Sequence, residues 1–171
     1  MPWWMPNVFM TTTRKRIAID TNVVVALVDS HDKWHGRAVA LRDALKAAQA
    51  DLLYFDSVVN ETVSVLARRA EEQGRAQQFS NLLEVLLQQV PAAVITWLSA
   101  ETRRLYDRVI ELVRDTSGVL NFHDALIALG CQELGVAAIA SFDRDFDQVA
   151  WLTRIDTPEA VNIAFEPAAE D

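Results

Sequence analysis

The sequence contains one cysteine, Cys131, in 171 residues. That excludes an internal disulfide framework and any zinc site built from several thiolates. A reducing, cytoplasmic location is compatible with it and is the expectation. No run of about 18 apolar residues occurs, so no membrane-spanning helix is expected. The opening MPWWMPNVFMTTTRKR is apolar first and basic second, the reverse of a secretory signal. Met5 and Met10 leave a shorter natural start open, so residues 1–13 are read as an N-terminal extension and given no functional weight. There is no internal repeat and no low-complexity segment.

Basic charge is also scarce. Sixteen Lys and Arg face 24 Asp and Glu, for a formal net charge of -8. A protein that binds nucleic acid by blanket neutralisation of phosphates is expected to be basic, so this balance argues against that mode. An acidic chain can still act on a polyanion if some of its carboxylates are there to hold cations. Part of the excess has a plainer origin in the tail, at Glu166, Glu170 and Asp171. Half the chain, 51%, is hydrophobic. This is enough for one substantial core and short for two, so a single domain is expected over residues 14–156, followed by a C-terminal strand or acidic tail over 157–171.

Short apolar runs alternate with helical patterns. Arg16–Asp20 (RIAID) predicts a strand, and Val23–Val28 the apolar start of a helix. Lys33–Ala50 repeats Val39, Leu41 and Leu45 at helical intervals. Leu52–Phe55 predicts a second strand, followed by Asp56 or Ser57 as the cap of a helix running from Val58 to Glu72 and stopping near Gly74. Further helices are expected over Arg75–Gln89, Ala100–Arg114 and Ala125–Leu134. Val94–Leu98 reads as extended and Val136–Ala140 as a buried strand. This alternation predicts a three-layer α/β/α sandwich around a mainly parallel sheet. Ligands of such sheets sit beyond the carboxyl ends of the strands.

Four acids stand at positions where charge is costly or aimed at that edge. Asp20 ends the first strand in Asp-Thr-Asn, where it would also serve as a helix cap. Glu61 shares a helix face with Val58 and Val65, and a charge on an apolar stripe is unfavourable unless it is paired, metal-bound or able to reach water. Asp124 opens the most apolar helix, where the macrodipole favours an acid. Asp143 follows the last strand in Ser-Phe-Asp-Arg-Asp-Phe-Asp, a sequence that also suits a turn. Each position has an ordinary structural explanation. Taken together they supply oxygen ligands of the kind hard divalent cations prefer. Two such ions about 4 Å apart can activate water and stabilise the leaving oxygen of a phosphodiester.

The ordered set Ile19-Asp20-Thr21-Asn22-Val23, helical Glu61, Asp124-Ala125 and Ser141-Phe142-Asp143 leading to Asp145-Phe146 resembles the PIN-domain nucleases over roughly Arg16 to Ala150. The resemblance implies Mg²⁺- or Mn²⁺-dependent hydrolysis of RNA, with Asp20, Glu61, Asp124 and Asp143 as the acidic tetrad. Asn22 and Ser141 would be supporting polar positions, Ser141 where the family often has Thr. Asp145 would be a fifth acid or a turn residue. The chain's small size resembles the VapC-type toxins of toxin–antitoxin pairs, which implies a homodimer and a protein antitoxin. The helical hairpin from Val58 to Gln89 would carry that contact through Val63, Leu66, Leu82, Leu83, Leu86 and Leu87, unless these are core. Arg14, Lys15, Arg16 and Arg144 are candidates to meet the RNA backbone.

Other chemistries fit less well. A haloacid-dehalogenase-like phosphatase would need a second Asp where Asn22 stands. His123-Asp124 resembles the HD hydrolases, but the other histidines, His31 and His35, lie far away in sequence. A branched-DNA nuclease would be expected to have more basic surface. A PIN-like scaffold that binds RNA or protein without cutting is the alternative that keeps the fold.

Overall fold

The computed structural model describes residues 15–165; the expectation of an N-terminal extension over 1–13 falls outside them. Among the described residues there are five strands, β1 (Arg16–Ile19), β2 (Asp51–Phe55), β3 (Ile95–Thr96), β4 (Ala138–Ala140) and β5 (Thr153–Ile155). They form one parallel sheet in the order β3-β2-β1-β4-β5. In β1, Ile17, Ala18 and Ile19 are all buried, as a central strand covered on both faces requires. Its register pairs Ile17 with Leu52 on one side and Ile19 with Ala140 on the other.

Seven helices among the described residues cover the sheet: α1 (Thr21–Val28), α2 (His35–Ala47), α3 (Asp56–Glu72), α4 (Phe79–Gln89), α5 (Thr102–Asp115), α6 (Phe122–Glu133) and α7 (Pro158–Phe165). They fall into two packed sets. The helices α1, α2, α3, α4 and α7 contact one another, and α5 lies along α6. This is the α/β/α sandwich expected from the sequence. Three consecutive valines make α1 a poor helix by propensity, but nearly every residue in it is buried, so tertiary packing decides its state.

Strands β2 and β3 lie on one side of β1, and β4 and β5 on the other. The chain direction across the sheet therefore reverses between β1 and β4. The loops after these two strands diverge to opposite faces and leave a crevice at their carboxyl ends. Asp20 follows β1 and Ser141 follows β4, so both stand at this crevice.

Several local expectations need correction. Phe55, rather than Asp56 or Ser57, is the cap of α3; the Asp56 carboxylate instead accepts hydrogen bonds from the Leu98 and Ser99 backbone N–H groups, at 2.6 and 3.2 Å. The hairpin's second helix begins at Phe79, after a 3₁₀ turn over Ala76–Gln78. Of Val94–Leu98 only two residues pair as strand. Strand β5 was not anticipated: Thr-Arg-Ile is too short to show a pattern. Residues 158–165 form α7, where a strand or acidic tail was expected, with Val161 buried as its anchor. The ends of α3 and α6 fall as read, at Gly74 (φ 66°) and Gly135 (φ 64°), whose left-handed backbone suits glycine. Among the hairpin's apolar residues, Leu66 and Leu86 are core, whereas Leu87 is half exposed.

Candidate metal centre

Asp20 is the first residue after β1 and the N-cap of α1, and the residue is 4% exposed. One carboxylate oxygen accepts the Thr21 backbone N–H at 2.7 Å. The other accepts the Ser141 hydroxyl at 2.6 Å and the Asn22 side-chain amide. Asn22 also donates to Ser141 Oγ at 3.1 Å and accepts the Phe142 N–H at 3.0 Å. Ser141 Oγ in turn accepts the Asp143 N–H at 3.0 Å. These bonds tie the loop after β4 to the start of α1. They fix the orientation of Asp20 and the backbone of Asp143.

Glu61 projects from α3, where Thr21 donates its hydroxyl to Glu61 Oε2 at 2.9 Å. Asp124 sits in the first turn of α6, and its N–H is capped by Asn121 Oδ1 at 3.0 Å. Asp143 caps a 3₁₀ turn over Arg144–Gln148 and accepts the Asp145 N–H at 2.9 Å. Asp20, Glu61, Asp124 and Asp143 together line one small cup of ≈ 200 Å³. Thr21, Asn22, Val25, Val65 and Asn121 complete its wall, and Arg68 and Arg69 stand on its α3 side.

The cup is electrostatically tense. Burial is the largest influence on Asp20 and opposes its charge. The Ser141 and Thr21 hydrogen bonds work the other way, while repulsion from Asp124 and Glu61 adds to the burial penalty, and the result is a pKa of about 7. Asp124 is pushed up to about 6, first by burial, against its Asn121 hydrogen bond, and then by the charges of Glu61, Asp143 and Asp145. Asp145 thus acts on the site at a distance, although it does not line the cup.

The donor set is all oxygen and acidic, the chemistry that fits a hard divalent cation. Among the described residues, no three acidic, histidine or cysteine side chains close tightly enough around one point to ligate a bare ion. The arrangement therefore suits an ion that keeps part of its water shell, as Mg²⁺ does when one or two carboxylates bind it directly. Imidazole takes no part. His123 is exposed, His35 Nδ1 lies 2.7 Å from the Ala26 carbonyl oxygen, and His31 stands beside Asp29.

The basic candidates need revision. Lys15 and Arg16 lie at the amino end of β1, the far edge of the sheet from Asp20, where they reach the Ala164 and Leu134 carbonyls. Arg144 is exposed on the turn after Asp143, and Arg14 lies outside the described residues. Sequence reasoning missed Arg68 and Arg69. Their one available signal was spacing: Arg68 falls seven residues, two helical turns, after Glu61.

The PIN domain family model matches residues 17–152. Among solved structures, VapC20 of Mycobacterium tuberculosis, described as a sarcin-ricin loop cleaving toxin, superposes with a TM-score of 0.58 at 23% identity, covering 78% of this chain and 95% of that one. VapBC2 of Rickettsia felis, solved with a DNA fragment from its promoter, gives a TM-score of 0.59 at 15% identity over 82% and 97%. A comparison with curated protein sequences finds no match. These structural likenesses speak for the fold. The family match spans most of the chain and contains all four acids of the cup, and on that ground the chain belongs to the PIN-domain family.

Proposed function

We propose that this protein is a metal-dependent endoribonuclease and the toxin half of a toxin–antitoxin pair. The observation that carries the reading is the cup itself: four carboxylates from separate elements, two of them with pKa values pushed well above the ordinary range. Acids buried and crowded in this way are uneconomical for a fold unless a cation relieves them. Membership of the PIN family and the fold shared with VapC toxins support the nuclease reading.

Asp20, Glu61, Asp124 and Asp143 would hold Mg²⁺ or Mn²⁺, directly or through water. The bound ion would supply a more acidic water and neutralise charge on the phosphodiester. The chain's own residues have distinct parts in this. Ser141 and Asn22 hold Asp20 in one rotamer, and Thr21 does the same for Glu61, so the acids are aimed before the ion arrives. Arg68, on an exposed stem at the rim, would meet the RNA backbone. An antitoxin, a homodimer and a cytoplasmic location follow from the same reading. Among the described residues no helix is long and apolar enough to cross a membrane.

The open spacing of the carboxylates favours one rival, a PIN-like scaffold that binds RNA or protein without cutting. Purified protein separates the two. A nuclease cuts single-stranded RNA with Mn²⁺ or Mg²⁺ and stops with chelator, and Asp124→Asn slows it on the order of a thousandfold, since several kcal/mol of transition-state stabilisation is lost. Full cutting by Asp124→Asn would overturn the assignment. A scaffold neither cuts nor melts higher with Mn²⁺.

A further inference from the structure

Beside the acidic cup stands a second constellation that the tetrad does not use. Trp34, just before α2, stacks on Phe142, with ring centroids 5.6 Å apart and planes 28° from parallel. The Arg37 guanidinium lies 4.9 Å from the Phe142 ring and 5.2 Å from the Trp34 ring. Lys33, itself exposed, brings its ammonium to 5.1 Å above the indole. Trp34 remains 37% exposed. Two stacked rings, partly open to water and bracketed by two cations, are more than a loop needs for its own packing.

Their position relative to the cup is fixed twice. Phe142 lies between Ser141 and Asp143, and its N–H is held by Asn22 at 3.0 Å. On the other side, the Trp34 backbone N–H donates to Asp32 Oδ1 at 2.7 Å, and Asp32 Oδ2 takes the guanidinium of Arg69, which lines the cup. Arg37 is clamped by Asp156 at 2.5 Å, so its charge is partly spent, and Arg154 reaches the same carboxylate at 3.0 Å. Among the described residues Lys33 has no such clamp, and it is the cation best able to swing to a phosphate.

We propose that Trp34 and Phe142, with Lys33 and Arg37, form a stacking platform for an unpaired base of single-stranded RNA flanking the phosphate in the cup. This rests on the nuclease reading and names how its substrate is gripped. Aromatic faces accept any base, and cations beside them meet the backbone. An acidic chain at net charge -8 cannot rely on bulk charge attraction and gains most from such a local grip. The platform selects strands whose bases are free to splay, in preference to duplex.

The test uses the full chain carrying Asp124→Asn, with Mn²⁺ present, and a labelled single-stranded RNA followed by fluorescence anisotropy. Adding Trp34→Ala should weaken binding by roughly five- to 150-fold, the range of one base–aromatic stack. Trp34→Phe should recover most of it. Lys33→Ala should flatten the salt dependence by about 0.7 in log–log slope, and Trp34→Ala should leave that slope unchanged. Placing one abasic site at each RNA position in turn should reveal a single position whose loss harms the parent chain and is silent with Trp34→Ala. This last readout does not depend on the variant's stability, because it is compared within one protein. A flat abasic scan, or equal binding by parent and Trp34→Ala, overturns the platform and leaves the rings as packing or a protein contact. If the wild-type chain cuts RNA normally in that case, the nuclease reading survives; if it neither binds nor cuts RNA, both fall.

Discussion

Replacing Asp20 by Asn should make the metal-free protein more stable at alkaline pH, even though it would disable the site. Asp20 is nearly inaccessible, and its pKa rises from an ordinary 3.8 to about 7. Because the folded state binds the proton more tightly than the unfolded chain, stability falls as pH climbs from about 4 to about 7 and is lowest above it. At 1.36 kcal/mol per tenfold, the raised pKa costs the fold about 4 kcal/mol at pH 8, where Asp20 is ionised, and about 2 kcal/mol at pH 5, where the folded state keeps a proton that the unfolded chain has released. Asn removes that cost but turns an NH₂ towards the Asn22 amide, which now donates to Asp20. Losing that acceptor and leaving a buried donor unsatisfied costs about 2 kcal/mol. The net gain is then about 2 kcal/mol at pH 8 and about zero at pH 5. For a chain this size the gain is roughly 4–8 °C in melting temperature. Melts in chelator at the two pH values read it directly. A loss of stability at pH 8, or a shift that ignores pH, would refute the reasoning.

Other perturbations have comparably definite outcomes. Ser141→Ala removes the hydrogen bond that most favours the Asp20 charge, so metal affinity should fall 10- to 100-fold, roughly, in a Mn²⁺ titration while the fold persists. Arg75→Ala strips the partner from Asp29, whose side chain is 3% exposed and bonded at 2.7 Å; a loss of about 3 kcal/mol is expected in urea unfolding. Burial is the largest influence on Asp29 and opposes its ionisation, but the Arg75 hydrogen bond, the His31 N–H bond and the Arg75 charge together outweigh it and hold the pKa below its ordinary value. The pair's stability is therefore present above about pH 4 and lost on acidification, and Arg75→Ala should abolish that acid dependence. Gly130→Ala would bring a Cβ to 2.9 Å from both Leu98 methyls and 3.2 Å from Phe55, so a loss of about 1–3 kcal/mol should appear in thermal melts.

The parts of the fold that were legible in the sequence are those where burial leaves a pattern. Ile17, Ala18 and Ile19 form a continuous apolar run because β1 is covered on both faces. Asp20, Glu61, Asp124 and Asp143 stood out because each interrupts an apolar element at a junction or on a stripe, and the structure gathers them in one cup. Strand β5 left no such pattern: three residues, one of them Arg154, carry no periodicity. Helix α7 is anchored by a single buried Val161, too little to distinguish it from a tail. Arg68 and Arg69 read as an ordinary solvated helix face, since nothing local shows that this face looks onto the cup. Lys15 and Arg16 were misassigned because proximity in sequence to Asp20 hides the strand that carries them to the opposite edge. Pairing Trp34 with Phe142 depends on a contact across 108 positions, which no local pattern encodes.

The decisive measurement is the count of protons released when Mn²⁺ binds, obtained by titration calorimetry in two buffers of different ionisation heat. With Asp20 near 7 and Asp124 near 6, roughly 1.4 protons should leave at pH 6 and almost none at pH 8.5, with one or two ions bound per chain. No binding heat at either pH, or proton release that is unchanged in Asp20→Asn, would contradict the claim that these acids act as one cation site.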